Sequence, residues 1–390
     1  MNVEAERILG AIRELGPALA ARAPEIEAAR RLPLDLVDEL TAIGFFRMLL
    51  PGRWGGLEID FPPSVDILAE LSAADGSTGW ASMIACETPQ LFALLPEATF
   101  DAIYADGPNV IVGGAFAPRG TAEPIDGGSG GYRVNGRWSF ASGCQHARWL
   151  FGNCVVTNDG APVTGPIPGA PLTRCAVLPA GAWQIHDTWH TAGLCGTGSQ
   201  DIEIADAVVA KEWTFDLFLG EAFTREPLFA APVLQFSLHI GAVALGIAQG
   251  ALDDLIALAG TNKQRLYTRQ GLADSTLFQY RLGHAATDVE AARALLASRA
   301  EELWSQALAG AVHPAMRTRV LQATAWVAET AARVVDHCYT AAGAAALYDS
   351  SPLQRRLRDI HALTQHASVQ ESVFATAGAE RLGRTGPFGV

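Results

Sequence analysis

The sequence predicts an α+β fold in three successive parts: helices, a small β domain, then a helical bundle. Three observations predict it. Residues 1–110 and 216–390 place apolar residues at helical spacing. Residues 111–215 change to short β-branched runs set among dense glycine and proline. The length of 390 residues suits about two to four structural units, and a 49% hydrophobic content allows a large buried core.

In the first part, Pro33 can open a helix, because its missing N–H costs nothing in a first turn. Leu36, Val37, Leu40 and Ile43 then keep helical spacing, and Gly44 can end it. Val65 to Leu71 and Trp80 to Leu95 read as further helices joined by the Asp75-Gly76-Ser77-Thr78 turn. In the second part, Tyr132-Arg133-Val134 and Arg137-Trp138-Ser139-Phe140 flank Asn135-Gly136, which tolerates the positive φ of a tight turn, so the stretch reads as a hairpin. Trp149 to Thr157, Arg174 to Leu178 and Asp201 to Ala210 are further strands, and their spacing suggests a small barrel or sandwich. In the third part, Phe236, Ile240, Val243, Ile247 and Leu255 share one helical face, as do Val320, Ala323, Val327, Ala331, Val334 and Cys338. Such stripes suit a bundle. Pro352 marks a break before a last helix from about Leu353 to His366. A cofactor-sized cleft can form where the β domain meets the bundle.

Composition excludes several functions. A net charge of −13 and a pI near 5.1 argue against nucleic acid, which needs a basic face. No apolar run of about 18 residues is evident, so no membrane span is expected. Met1 to Glu6 is acidic and polar, unlike a secretory signal, and the expected location is the cytoplasm. The six cysteines contain no C-x-x-C pair and suit reduced, buried thiols.

Some motifs match in letters only. Gly193-Leu-Cys-Gly-Thr-Gly198 precedes a strand rather than a helix, which rules out a dinucleotide fingerprint. Gly127-Gly-Ser-Gly-Gly131 sits in a glycine run before the expected hairpin, whereas a nucleophile elbow needs a strand-to-helix turn. His186 and His190 lack a third ligand for a metal.

Other stretches match in context. Tyr132 to Trp149, and Trp138-Ser-Phe-Ala-Ser-Gly-Cys144 within it, resembles the central β-domain motif of the acyl-CoA dehydrogenase superfamily in its two-component flavin monooxygenase branch. Trp189 to Asp201, Tyr339-Thr-Ala-Ala-Gly343, and Pro352 to Asp359 followed by His366 extend the resemblance over roughly residues 30–385. It implies an N-terminal helical domain (1–110), a central small β-barrel (111–215) and a C-terminal four-helix bundle (216–390), usually assembled as a homotetramer. It also implies reduced FMN or FAD (FMNH2 or FADH2) delivered by a separate NAD(P)H-dependent flavin reductase. O2 is the co-substrate, and a C4a-hydroperoxyflavin hydroxylates a small aromatic or heteroatom-containing substrate.

Two positions where dehydrogenases of the superfamily hold their glutamate base match Gln365-His366-Ala367 and Phe236-Ser237, with no carboxylate. The resemblance makes His366 the general base and places the Ser142 hydroxyl beside flavin N5. Phe116, Trp138 and Phe140 become flavin-wall residues, with Arg269, Phe278, Gln279 and Gly343 around the flavin tail of a neighbouring subunit. Met83, Glu87, Phe236 and His239 are candidates for the substrate pocket. Each also has a plain reading, such as a capping histidine, a turn serine or a core aromatic. The stretch Ala81 to Gln90 lacks the histidine that several monooxygenase relatives carry there. Two rival readings stay open. One is an acyl-CoA dehydrogenase-type enzyme, oxidase or dehydratase with an unusual base such as Glu87 or Glu371. The other is a flavin-free scaffold.

Overall fold

The computed structural model describes residues 3–167, 169–261 and 270–384. Helices α1 (Val3–Ala29), α2 (Leu34–Ile43), α3 (Phe61–Ala74), α4 (Gly76–Phe92) and α5 (Glu97–Ile103) come first. α2 follows Pro33 directly and stops at Gly44, whose φ of 92° forms a left-handed cap. Asp75 separates α3 from α4: its carboxylate accepts from the Thr78 N–H and hydroxyl, each at 2.8 Å, and so caps α4. α4 is buried along its whole length.

The strands are β1 (Val112–Pro124), β2 (Tyr132–Ala141), β3 (Trp149–Asn158), β4 (Ala161–Pro162), β5 (Thr173–Pro179), β6 (Gln184–His186), β7 (Gln200–Val209) and β8 (Thr214–Phe215). They form one sheet in the order β6-β7-β2-β1-β3-β5-β8, with β4 paired to β3. Only β1 and β3 run parallel. Phe151 and Phe215 of the sheet pack with Phe92 of α4 and Phe100 of α5 in one cluster, while Trp138, Val134, Ile202 and Trp183 fill another.

Asn135-Gly136 is not a turn. β2 runs through it, with a register shift against β7 between Val134 and Gly136. Asn135 Oδ1 accepts from the Asp206 N–H at 2.7 Å, so the asparagine pins a bulge. Glycine is required at 136 by space: a Cβ there would lie 2.5 Å from Gly120 Cα and 2.9 Å from the Trp138 ring. The real hairpin joins β1 to β2 through residues 125–131.

The third part holds α6 (Pro232–Gly260), α7 (Thr276–Leu308), α8 (Ala315–Ala342), α9 (Pro352–Leu363) and α10 (Ser372–Arg381). The helix expected to reach His366 ends at Leu363, because side chains there bond the local backbone instead. Thr364 Oγ1 donates to His361 O at 2.9 Å, and the Ser368 N–H donates to His366 Nδ1 at 3.2 Å. α6 corrects a second expectation: it is long and apolar enough to cross a membrane. In this fold it is the central helix of the bundle, packed on α3, α4, α7, α8 and α9. Its glycines admit close neighbours. A Cβ on Gly246 would meet Ala69 O at 2.3 Å, and one on Gly250 the Arg356 guanidinium at the same distance. All six cysteines are free and buried.

Candidate active site

Five segments converge: the end of β2, the glycine-rich loop before β7, α4, the start of α6, and the turn after α9. Phe140 at the end of β2 has a φ of 66°, and Leu194 in the glycine-rich loop one of 50°. For residues with a Cβ each costs about 1–2 kcal/mol. Such strain gathers where a site is built.

Beyond Phe140, Ser142 is buried, and its Oγ lies 2.7 Å from Ser199 Oγ and accepts from Trp80 Nε1 at 3.1 Å. Ser199 Oγ is 2.6 Å from Thr197 Oγ1, which donates to Leu194 O at 2.8 Å. A hydroxyl has one proton, so this last bond sets the direction of the row. Ser199 donates to Thr197, and Ser142 donates to Ser199. Ser142 is left with an acceptor lone pair for a ligand. Leu194 is itself held by its N–H, which donates to Asp359 Oδ1 at 2.6 Å. Burial first, and then the charge of Asp75, push the Asp359 carboxyl up to about 7. This bond ties the glycine-rich loop to α9.

His366 is half-buried, edge-on to Trp80 at 5.5 Å and beside Phe236 at 6.1 Å. Burial lowers its pKa to about 4, so the ring is neutral at pH 7. Because Nδ1 accepts from Ser368, the proton of the neutral ring sits on Nε2. His366 thus enters the site as a donor. The general-base role expected from the resemblance requires that bond to Ser368 to break first.

Phe116 packs on Phe236 at 5.2 Å, and fully buried Met83 lies on α4 between Trp80 and Glu87. Glu87 and His239, expected only as separate candidates, form a buried pair: His239 Nδ1 meets Glu87 Oε1, and Nε2 lies 2.7 Å from Ser64 Oγ. Burial holds His239 down at about 3.

Other candidates lie elsewhere. Trp138 is a correction: it is wholly enclosed in the β core, its Nε1 donating to Asn153 O at 2.5 Å, so no ring face is left for a flavin. Phe140, by contrast, stays at the site, two residues before Ser142 at the end of β2, 65% exposed and beside Trp189. Phe278 is buried in the bundle, and Gln279 Nε2 donates to Ala273 O at 2.9 Å. Gly343 ends α8 with a φ of 61°, and nothing lies within 4 Å of a Cβ built there. Arg269 lies outside the described residues. Glu371 is exposed at the head of α10. Trp80, Ser199 and Ser64 belong to the site without having been singled out. The signal for Ser199 was its place in the same glycine-rich motif as Thr197; Ser64 gave none, since a helical serine reads as surface.

The Ser142 acceptor fits the N5–H of a reduced flavin, and the aromatic Phe140–Trp189 edge leaves apolar surface open beside it. No cluster of metal-ligating residues occurs among the described residues. The acyl-CoA dehydrogenase N-terminal domain matches residues 4–93, and the C-terminal domain matches residues 238–371. The chain is 34% identical to an indole-3-acetate monooxygenase of Pseudomonas putida, over 97% of this chain and 93% of that one. It is 30% identical to an FADH2-dependent resorcinol hydroxylase, oxygenase component, of a Rhizobium species, covering 97% and 94%. The crystal structure of the HsaA monooxygenase of M. tuberculosis superimposes with a TM-score of 0.87 at 29% identity, covering 98% of each chain.

Proposed function

The chain belongs to the acyl-CoA dehydrogenase family, on its branch of flavin-dependent monooxygenase oxygenase components, and from that premise we propose that it hydroxylates a small aromatic or heteroatom-bearing molecule with O2 and reduced FMN or FAD. The observation that carries this is that, among the described residues, neither position matching the dehydrogenase base holds a carboxylate. The positions matching the dehydrogenase base are occupied by His366 and by Phe236-Ser237, and Glu87 is engaged by His239. Neither of those two positions offers a base for an α-proton, whereas a neutral donor and a directed hydroxyl row suit oxygen transfer.

When bound, reduced flavin supplies the two electrons that divide O2, one atom going to the substrate and one to water. The chain's own residues position and shield. Ser142, fixed by Trp80 and Ser199, would accept from the ring edge of a bound flavin. His366 donates from Nε2 to oxygen at the reacting centre. Phe116, Phe236 and Trp80 form an apolar wall that would exclude water from a flavin held there. The Rhizobium relative is an oxygenase component, which supports a separate NAD(P)H-dependent reductase as partner. A homotetramer is part of the same proposal.

The test mixes the protein with reduced FMN, and separately FADH2, then with oxygen in a stopped-flow spectrometer. The expected result is a transient absorbance, distinct from reduced and oxidised flavin, that outlasts the one seen with free flavin. It should decay about tenfold or more faster in Ser142→Ala or His366→Ala, since losing one positioned donor or acceptor commonly costs that much. Direct conversion to oxidised flavin with both cofactors, together with anaerobic bleaching of bound FAD by an acyl-CoA, would return the chain to the dehydrogenases.

A further inference from the structure

The Glu87–His239–Ser64 row is not used by the mechanism above, and its hydrogen bonds are unbalanced in an informative way. Ser64 Oγ donates to Phe61 O at 2.5 Å, which uses its only proton. It must therefore accept from His239 Nε2–H. In the neutral ring Nδ1 is then bare, yet it faces Glu87 Oε1. Two lone pairs cannot meet at hydrogen-bond distance, so one proton lies between them. The row as a whole carries no net charge, whichever of the two atoms holds that proton. This leaves Glu87 Oε2, a buried oxygen with no partner among the described residues. A buried acceptor without a donor costs about 1–3 kcal/mol, so a donor is expected.

The position of this oxygen says what brings the donor. Trp80, Met83, Ile84 and Glu87 lie on one face of α4, and Phe236 and His239 lie one turn apart on α6. The Trp80–His366–Phe236 layer, where oxygen transfer is placed, is thus stacked directly on the Glu87–His239 layer. Met83, about one turn from both Trp80 and Glu87 on α4, lines the step between them.

We propose that Glu87 Oε2 is the acceptor that recognises substrate, and that it selects an aromatic molecule bearing a neutral N–H or O–H donor over a cationic amine. The inference rests on the oxygenase reading for the place of the reacting atom. Glu87 touches the substrate; His239 and Ser64 are positioning residues that hold its carboxyl group in one orientation. A row without net charge offers no counter-ion to an ammonium group, and burying one there would leave it unpaired. A phenol or indole ring, by contrast, supplies the missing donor and fills the apolar walls of Met83 and Phe236.

The experiment measures equilibrium binding by tryptophan fluorescence, without flavin or oxygen. The probes are indole with 1-methylindole, phenol with anisole, and benzylamine. The proteins are wild type, Glu87→Gln and Glu87→Met. The wild type should prefer the N–H or O–H member of at least one pair by about tenfold, the ratio one buried hydrogen bond confers. Glu87→Gln should keep that preference. Its amide can donate to Nδ1 through the nitrogen and still accept through the oxygen, which a merely ionic role for Glu87 would not allow. Glu87→Met, of similar size, should bring the ratio to within about twofold, as expected when the acceptor is lost. Equal affinities in both pairs, a preference that persists in Glu87→Met, tighter binding of benzylamine, or no binding of any probe overturns the proposal. The oxygen stopped-flow signal separates the two readings: its presence alongside failed discrimination removes only the role of Glu87, while its absence alongside intact discrimination removes only the oxygenase assignment.

Discussion

At the scale of single residues, the site is organised by where protons are forced to sit. Thr197 spends its proton on a carbonyl, and that choice sets the direction of every hydroxyl back to Ser142. Ser368 does the same for His366 by occupying Nδ1. The neutrality of His366 has a consequence for stability. Its ring is held at about 4 by burial, against an unfolded value of about 6.5. Between those values the unfolded chain binds a proton that the folded chain refuses, so stability falls as pH falls through that window. Above pH 6.5 the contribution is complete. In His366→Gln the acid-side slope of unfolding free energy should therefore be shallower than wild type by up to about one proton. Denaturant melts at intervals from pH 7.5 to 4.5 measure it, and parallel curves for the two proteins would contradict the burial argument.

At the scale of elements, α6 is the organising piece, and its small residues decide how close α3 comes. Gly246 faces Ala69 O and Ser72, with 2.3 Å and 2.5 Å to a would-be Cβ. Gly246→Ala should therefore push α6 away from α3 and cost about 1–3 kcal/mol, as overpacking does. It should also weaken the His239–Ser64 contact, which spans the same two helices. Gly10→Ala, in the middle of α1 with nothing within 4 Å, is the contrasting case. It should stabilise by about 0.5–1 kcal/mol, because alanine only lowers the entropy of the unfolded chain. Chemical denaturation of both variants checks the pair, and a neutral Gly246→Ala would show that the helices can slide apart freely. The same elements show what was legible in the sequence. α2 announced both its ends through Pro33 and Gly44, and β3, β5 and β7 announced themselves by β-branched runs, since these signals are local. Asn135-Gly136 misled because its meaning is set by the Trp138 ring and the bulge against β7, which are tertiary facts. Ser142 and His366 stood in recognisable motifs, whereas the pairing of Glu87 with His239 joins residues on different helices 152 positions apart. No periodicity on either helix encodes that contact.

At the scale of the whole molecule, the bundle exposes apolar side chains that one chain has no use for. Leu277 and Tyr280 at the start of α7, Leu308 at its end, and Leu347 and Tyr348 after α8 are all largely exposed. The start of α7 is also where the expected flavin-tail residues Phe278 and Gln279 lie, and Leu347 and Tyr348 follow Gly343 closely in the chain. Gly343 itself is exposed, with nothing within 4 Å of a Cβ built there. Leu277 and Tyr280, three residues apart on α7, and the adjacent Leu347 and Tyr348 are the kind of exposed apolar groups an association surface presents. If the proposed tetramer uses it, the assembly and the flavin site are one problem: subunits meet where the cofactor's far end would lie. Tyr280→Asp combined with Tyr348→Asp should then lower the mass seen by sedimentation from four chains toward one or two. Affinity for FADH2 should fall in the same variant, while the β domain, far from these substitutions in sequence, keeps its near-ultraviolet tryptophan signal. A wild-type protein that sediments as a monomer at micromolar concentration would sink the tetramer. A dissociated variant that still binds FADH2 as tightly as wild type would separate the two roles and leave the cofactor site within a single chain.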